Sequence, residues 1–187
     1  MYSKRIAGLL SFVGDSQFLI LMLIFKKVEM ARRYLQATAC YQTIRAAEVR
    51  DERILAKVSA TEFEEALAGK QFHCAMRHGK RLFLKLHDSL WLALHLGLTG
   101  RLIYLENGAE EPRHTRLLIS FRNGRNLGFE DPRIFGEVSL AKSPDAFLVE
   151  RKIGPDQTKL RINSTKHVRV LSSSSCKITA AGGEGSI

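Results

Sequence analysis

The stretch from Ala66 to Leu105 contains the basic residues and histidines that are best suited to binding an anionic ligand. It contains one acidic residue, Asp88, and four interleaved histidines. Its six basic residues are Lys70, Arg77, Lys80, Arg81, Lys85 and Arg101. Because a surface of one sign attracts phosphate groups, the stretch indicates a face that binds a polyanion. A solvated strand face with no partner is the alternative.

The overall charge adds little to that indication. The 187 residues carry a net charge of +10. Residues 1–27 contribute +3 and residues 159–187 contribute +4, which leaves +3 for residues 28–158. Most of the excess charge therefore lies near the two ends, and net charge alone is weak evidence for nucleic-acid binding.

Cysteine usage indicates a reducing compartment. Cys40, Cys74 and Cys176 are far apart and form no C-x-x-C pair. This spacing disfavours a disulfide framework and a zinc site built from neighbouring ligands. We therefore expect an intracellular protein that uses neither a metal nor another cofactor.

The segment Phe18–Phe25 is an apolar run of eight residues. A membrane-spanning helix needs about 20 such residues. The run also follows Asp15 and precedes Lys26-Lys27, where a signal peptide would have small residues at its cleavage site. We therefore expect neither a membrane anchor nor a secretion signal.

Two helices are predicted in the first third of the central region. Residues 28–38 are predicted to form a helix with Val28, Ala31 and Leu35 on one face. Ser59 and Glu62 have the spacing of a capping box, as do Thr61 and Glu64. A second helix is therefore predicted to begin just after one of these caps.

Strands are predicted over most of the remaining central region. Residues 43–50 are rich in β-branched side chains, and residues 81–88 alternate apolar and polar side chains. Asn123-Gly124 favours a hairpin turn because both positions tolerate positive φ. Further candidate strands are 89–97, 100–106 and 115–121. These elements predict an α+β fold with mainly antiparallel strands, whereas residues 159–187 lack periodicity and are predicted to be disordered.

Three segments in a fixed order resemble one family. They are RHGKRLFLKL (77–86), LHLGLTGRL (94–102) and FEDPRIFG (129–136). Together they resemble the N-terminal domain of the formamidopyrimidine-DNA glycosylase/endonuclease VIII family, base-excision repair enzymes that remove oxidised bases from DNA. Weaker matches extend the resemblance over residues 28–158. The resemblance implies a β-sandwich of mainly antiparallel strands flanked by helices, and damaged double-stranded DNA as the partner.

The resemblance also implies roles for five residues. Leu98, Arg133 and Phe135 match the loops that fill the gap left by an extruded nucleotide, and leucine is a usable apolar wedge. Lys80 matches a lysine that contacts phosphate, and His114 matches a histidine near the DNA. The alternatives are ordinary: Leu98 and Phe135 would fill the core, and Lys80 would be a solvated strand residue.

The family's catalytic proline and glutamate fall at Leu23 and Ile24 in this chain. The proline's terminal amine acts as the nucleophile and the glutamate transfers protons, so neither group is present here. Residues 1–27 are therefore expected to be an atypical N-terminal extension of the domain at 28–158. Within 159–187 we find no match to the helix–two-turns–helix or zinc-finger segments of the family.

Three functional hypotheses remain open from the sequence. The chain is a truncated and inactive form of a DNA glycosylase/AP lyase, a non-catalytic DNA-binding module, or a mis-spliced fragment without independent function. In each case we expect a monomer, located in the nucleus or cytoplasm, or with the nucleoid in a bacterium.

Overall fold

The long first helix ends in the protein core. In the computed structural model, residues 3–86 and 90–154 are described, with side chains from residue 19 onward. Helix α1 (Ser3–Thr38) runs without a break through Lys26-Lys27. The prediction of a helix over 28–38 identified only its last part, because no glycine or proline interrupts the chain from residue 15 to 38. Among the described helices, none has the length and apolar character needed to cross a bilayer.

Two short helices and one 3-10 turn complete the helical elements. The 3-10 turn covers Glu52–Ile54, α2 covers Ala60–Leu67 and α3 covers Pro144–Glu150. The capping box predicted for α2 is confirmed at Ser59, whose hydroxyl accepts from the Glu62 amide while the Glu62 carboxylate accepts from the Ser59 amide. Sequence periodicity did not reveal α3, because two turns of helix are too short to show a repeat.

The strands form two four-stranded antiparallel sheets. The first contains, in spatial order, β1 (Ile44–Val49), β6 (Thr115–Phe121), β7 (Asn126–Glu130) and β5 (Arg101–Leu105). The second contains β2 (Phe72–His78), β3 (Arg81–Leu86), β4 (Trp91–His95) and β8 (Glu137–Ala141). The predicted hairpin at Asn123-Gly124 joins β6 to β7, with Gly124 at a φ of +84°.

One hydrophobic core joins both sheets to α1 and α2. The rings of Phe72 and Phe121, one from each sheet, meet edge to face with centroids 6.4 Å apart. From the helices, Leu35 and Phe63 are fully buried in the same cluster. The α+β fold with mainly antiparallel strands is therefore confirmed. The predicted disorder at 159–187 lies outside the described residues.

Two phenylalanines should differ sharply in their effect on stability. Phe63 is fully buried on α2, whereas Phe135 is 61% exposed. We expect Phe63→Ala to lower the free energy of unfolding by about 3–5 kcal/mol, since it removes core contacts and leaves a cavity. Phe135→Ala should change it by about 0.5 kcal/mol or less. Urea denaturation followed by circular dichroism measures both, and equal losses would contradict this assignment of the core.

Candidate nucleic-acid interface

A buried carboxylate holds two loops together at one end of the strands. Asp131, which directly follows β7, is fully buried. Its Oδ2 accepts from the amide of Gly136 at 2.7 Å, and its Oδ1 accepts from the Thr99 hydroxyl at 2.8 Å. The first bond closes the loop 131–136, and the second ties that loop to the one at 96–100. Each loop is thereby held by a charge-assisted bond, the stronger kind of hydrogen bond.

The two loops approach so closely that a glycine is required between them. Gly97 has a φ of +58°, and a Cβ atom there would lie 2.9 Å from the backbone carbon of Phe135. That distance is shorter than van der Waals contact, and the conformation is one that glycine adopts without strain. The loop at 96–100 can therefore pack directly on the backbone of the loop at 131–136.

The tight backbone packing leaves large side chains facing solvent. Leu98 is 56% exposed and Phe135 is 61% exposed. Arg133 and Lys80 are exposed as well, Lys80 on the turn between β2 and β3. The alternative that Leu98 and Phe135 fill the core is therefore wrong. We call the exposed side chains of Leu98, Arg133 and Phe135 the loop surface.

His95 connects the loop surface to the turn that carries Lys80. Its ring makes a hydrogen bond with the Phe135 backbone. Burial, reinforced by the positive charges of Arg81 and Lys80, lowers the pKa of His95, although the Phe135 bond and Glu137 oppose that shift. The neutral imidazole is therefore favoured, and its hydrogen bond helps to hold the Phe135 backbone in place.

Three of the six basic residues of the predicted basic face are paired with carboxylates of the protein. Arg77 lies 3.4 Å from a Glu29 carboxylate oxygen, Arg81 lies 3.0 Å from one of Glu137, and Arg101 pairs with Glu130. Their acidic partners come from distant parts of the sequence, so the stretch 66–105 looked more basic than its folded surface is. Among the residues that the structure describes, Lys80 and Arg133 have no carboxylate partner, which leaves them free to contact a phosphate or a base.

Arg116 is a supporting residue that the sequence did not indicate. Its guanidinium donates to the carbonyl of Asp131 at 3.0 Å and to the carboxylate of Asp51 at 3.3 Å. His114 contributes through its backbone, because its carbonyl accepts from the Asp131 amide at 3.0 Å. The half-buried His114 thus lies next to the loop 131–136 at the start of β6.

Helix α1 reaches the loop surface through Lys27. The ammonium of Lys27 donates to the carbonyl of Leu98 at 2.8 Å. Burial lowers the pKa of this amine, and the negative charge of Asp131 partly offsets that effect. One turn earlier, Leu23 is 64% exposed, and the neighbouring Ile24 is half-buried. No local sequence pattern indicates a role for Lys27, because its contact partner is 71 residues away.

Removing the Asp131 carboxylate should loosen both loops. Asp131→Ala leaves the buried Gly136 amide and the Thr99 hydroxyl without their acceptor, so we expect a loss of about 2–4 kcal/mol in unfolding free energy. Asp145→Ala, at an exposed acid in the first turn of α3, should cost about 1 kcal/mol or less. Limited proteolysis of Asp131→Ala should also cut within 96–100 or 131–136. Matching stabilities for the two variants would contradict the role of Asp131.

Sequence comparisons identify relatives of this chain. A family model described as the formamidopyrimidine-DNA glycosylase N-terminal domain matches residues 25–138. A formamidopyrimidine-DNA glycosylase from Pelotomaculum thermopropionicum is 36% identical over 114 residues, covering 61% of this chain and 41% of that protein. Another, from Moorella thermoacetica, is 32% identical over 132 residues, covering 70% and 48%. The chain thus spans less than half the length of these relatives.

Solved structures agree with the sequence matches. A complex of Lactococcus lactis Fpg with DNA containing an abasic site has a TM-score of 0.63 and 28% identity, covering 69% of this chain and 48% of that one. A complex of the same bacterial protein with DNA containing FAPY-dG has the same TM-score and identity. The sandwich architecture is shared with these proteins. From the match over 25–138, the chain belongs to the formamidopyrimidine-DNA glycosylase family, through its N-terminal domain.

Proposed function

We propose that this chain acts in base-excision DNA repair by binding double-stranded DNA at a damaged or missing base. The observation that carries the proposal is the pair of exposed apolar side chains, Leu98 and Phe135, on loops that Asp131 fixes in place. The relatives named above are formamidopyrimidine-DNA glycosylases, and the matching Fpg structures contain DNA with an abasic site or a FAPY-dG lesion.

The loop surface suits a gap in a base stack. Extruding a nucleotide, or losing its base, leaves a hole whose formation costs a few kcal/mol. An apolar side chain inserted into the hole restores part of the lost stacking. Leu98 is the wedge in this proposal, and Phe135 stacks against the neighbouring base. Because both loops are held by backbone contacts and a buried carboxylate, little ordering entropy is lost when the side chains insert.

Two free cations supply the polar part of the interface. Arg133, in the loop surface, donates to the unpaired base opposite the lesion. Lys80 contacts the phosphate backbone from the β2–β3 turn, and His114 is held next to the loop 131–136 by the hydrogen bond that its carbonyl accepts from the Asp131 amide. Lys80 therefore contributes affinity for any duplex, whereas Arg133 contributes preference for a lesion.

In this proposal, the described residues recognise the DNA lesion and do not remove the base. Glycosylases of this family need an amine nucleophile and a carboxylate, but the matching positions are Leu23 and Ile24. Hydrocarbon side chains neither attack a sugar carbon nor transfer a proton. The site of action is intracellular, in the nucleus or in the bacterial nucleoid, where the DNA is.

Substitution of Arg133 should separate lesion binding from general DNA binding. Fluorescence anisotropy at low salt compares a duplex containing a tetrahydrofuran abasic analogue with the same duplex intact. We expect Arg133→Ala to weaken binding to the lesion duplex by about 1–3 kcal/mol, and to the intact duplex by less. Lys80→Ala should weaken binding to both duplexes equally. It should also reduce the slope of log K against log salt concentration by about 1, as expected for the loss of one phosphate contact.

Arg122→Ala is the matched control. Arg122 is an exposed arginine at the opposite end of β6, beside the Asn123-Gly124 turn. We expect the Arg122→Ala variant to bind both duplexes with the same affinity as the unsubstituted protein. The proposal would be overturned by an absence of binding at low salt, or by equal losses for Arg122→Ala and Arg133→Ala on the lesion duplex.

A further inference from the structure

Side chains from the helices cap an outer strand in each sheet. An outer strand has backbone groups on its open side that can pair with another chain. At β1, the Val49 amide donates to the carboxylate of Glu64 on α2 at 2.7 Å. At β2, the Ala75 amide donates to the side-chain carbonyl of Gln36 on α1 at 2.9 Å. These contacts occupy backbone donors that a further strand would need.

The outer strand β8 is covered over only part of its length. Beside it, the Ala56 amide donates to the Val138 carbonyl at 2.9 Å in a parallel bridge. The next residue, Lys57, has a φ of +62°, a left-handed conformation that cannot continue an extended strand. Among the described residues, no backbone hydrogen bond joins this loop to Leu140. The pairing along β8 therefore stops before Leu140.

The backbone of Leu140 faces the open side of β8. In an antiparallel pair, successive residues direct their N–H and C=O groups to opposite sides of the strand. The Val138 carbonyl points away from β4, because it accepts from Ala56. Leu140 lies two residues further on and therefore also directs its N–H and C=O groups away from β4. This edge thus offers one backbone donor and one backbone acceptor.

A cavity of about 260 Å³ lies beside this edge. Ser139 and Leu140 line it from β8, Lys57 from the neighbouring loop, and Phe147 and Glu150 from α3. Ser139 is 3% exposed, and its hydroxyl has no hydrogen-bond partner among the described residues. A buried polar group without a partner is costly, so the cavity suits a group that offers a hydrogen bond. Its volume is below the range of about 300–1,000 Å³ that is typical of small-molecule pockets, and so favours a single side chain.

The charged residues that line the cavity are already engaged, which favours an uncharged side chain. Lys57 pairs with Glu150 and so joins the loop to α3, and Arg151 lies 3.0 Å from a carboxylate oxygen of Glu137. Glu62 is the capping carboxylate of α2. An uncharged side chain leaves these contacts intact, whereas a charged one would compete with them.

We propose that the edge of β8 binds an extended peptide segment of another protein, with an asparagine side chain of that segment in the cavity. An extended backbone supplies the acceptor and the donor that Leu140 lacks, as when a strand is added to the edge of a sheet. The carboxamide both donates to and accepts from hydroxyl groups, so it pairs with Ser139 in either orientation of the hydroxyl. The adjoining methylene group contacts the apolar wall formed by Phe147.

Titration of the full chain with three blocked peptides tests this assignment. The probes are acetyl-Ala-Asn-Ala-methylamide and the same peptide with leucine or proline at the central position. We expect the asparagine peptide to shift the amide NMR signals of Ser139 and Leu140 and to slow hydrogen exchange of the Leu140 amide. The leucine peptide should bind about 5-fold more weakly, because it leaves the Ser139 hydroxyl unpaired. The proline peptide should bind more weakly still, because it also lacks a backbone N–H.

Ser139→Ala separates the side-chain contact from the backbone pairing. The substitution removes a hydroxyl that has no partner in the described residues, so the fold should be retained. We expect this variant to bind the asparagine and leucine peptides with equal affinity. Ser120→Ala, at a half-buried serine of β6 in the other sheet, is the matched control and should keep the preference for asparagine.

Two results would overturn the proposal. One is the absence of shifts at Ser139 and Leu140 with millimolar asparagine peptide. The other is a preference for asparagine that survives Ser139→Ala. Neither measurement involves DNA, so either result would leave the proposed binding of DNA lesions unaffected.

Discussion

The geometry of the candidate interface depends on the buried carboxylate of Asp131. Its oxygens accept from Gly136 and Thr99, and its backbone is held by His114 and Arg116. These bonds fix two loops that contain no regular secondary structure. A buried carboxylate is costly unless its hydrogen bonds are satisfied, so a departure from this arrangement carries a high energetic penalty. That penalty allows short loops to hold apolar side chains in water without collapse onto the core.

Internal ion pairing shapes the electrostatics of the surface. Of the six basic residues in the stretch 66–105, three face carboxylates supplied by α1, β7 and β8. These pairs join elements rather than attract a ligand, and partly exposed pairs of this kind add little to stability. Among the described residues, Lys80 and Arg133 are exposed and have no carboxylate partner. Under the proposed function, these two cations act together with the apolar side chains of the loop surface, which favours contact with a distorted duplex over general attraction to polyanions.

Helix α1 contacts the candidate interface at Lys27. The resemblance predicts Leu23 and Ile24 at the positions of the family's catalytic groups, and one turn further along Lys27 contacts the Leu98 carbonyl. The same contact links α1 to the loop at 96–100, so Lys27 also contributes to positioning Leu98.

The sequence by itself determined the family, the α+β class, the capping box at Ser59 and the hairpin at Asn123-Gly124, because each depends on local residue order or short spacing. From the resemblance to the family, it also predicts that Leu23 and Ile24 stand at the positions of the family's catalytic groups. Only the tertiary structure decided that Leu98 and Phe135 are exposed, that Arg77, Arg81 and Arg101 are paired, and that Lys27 contacts Leu98. Burial and ion pairing join residues up to 71 positions apart, and no local pattern encodes such distances.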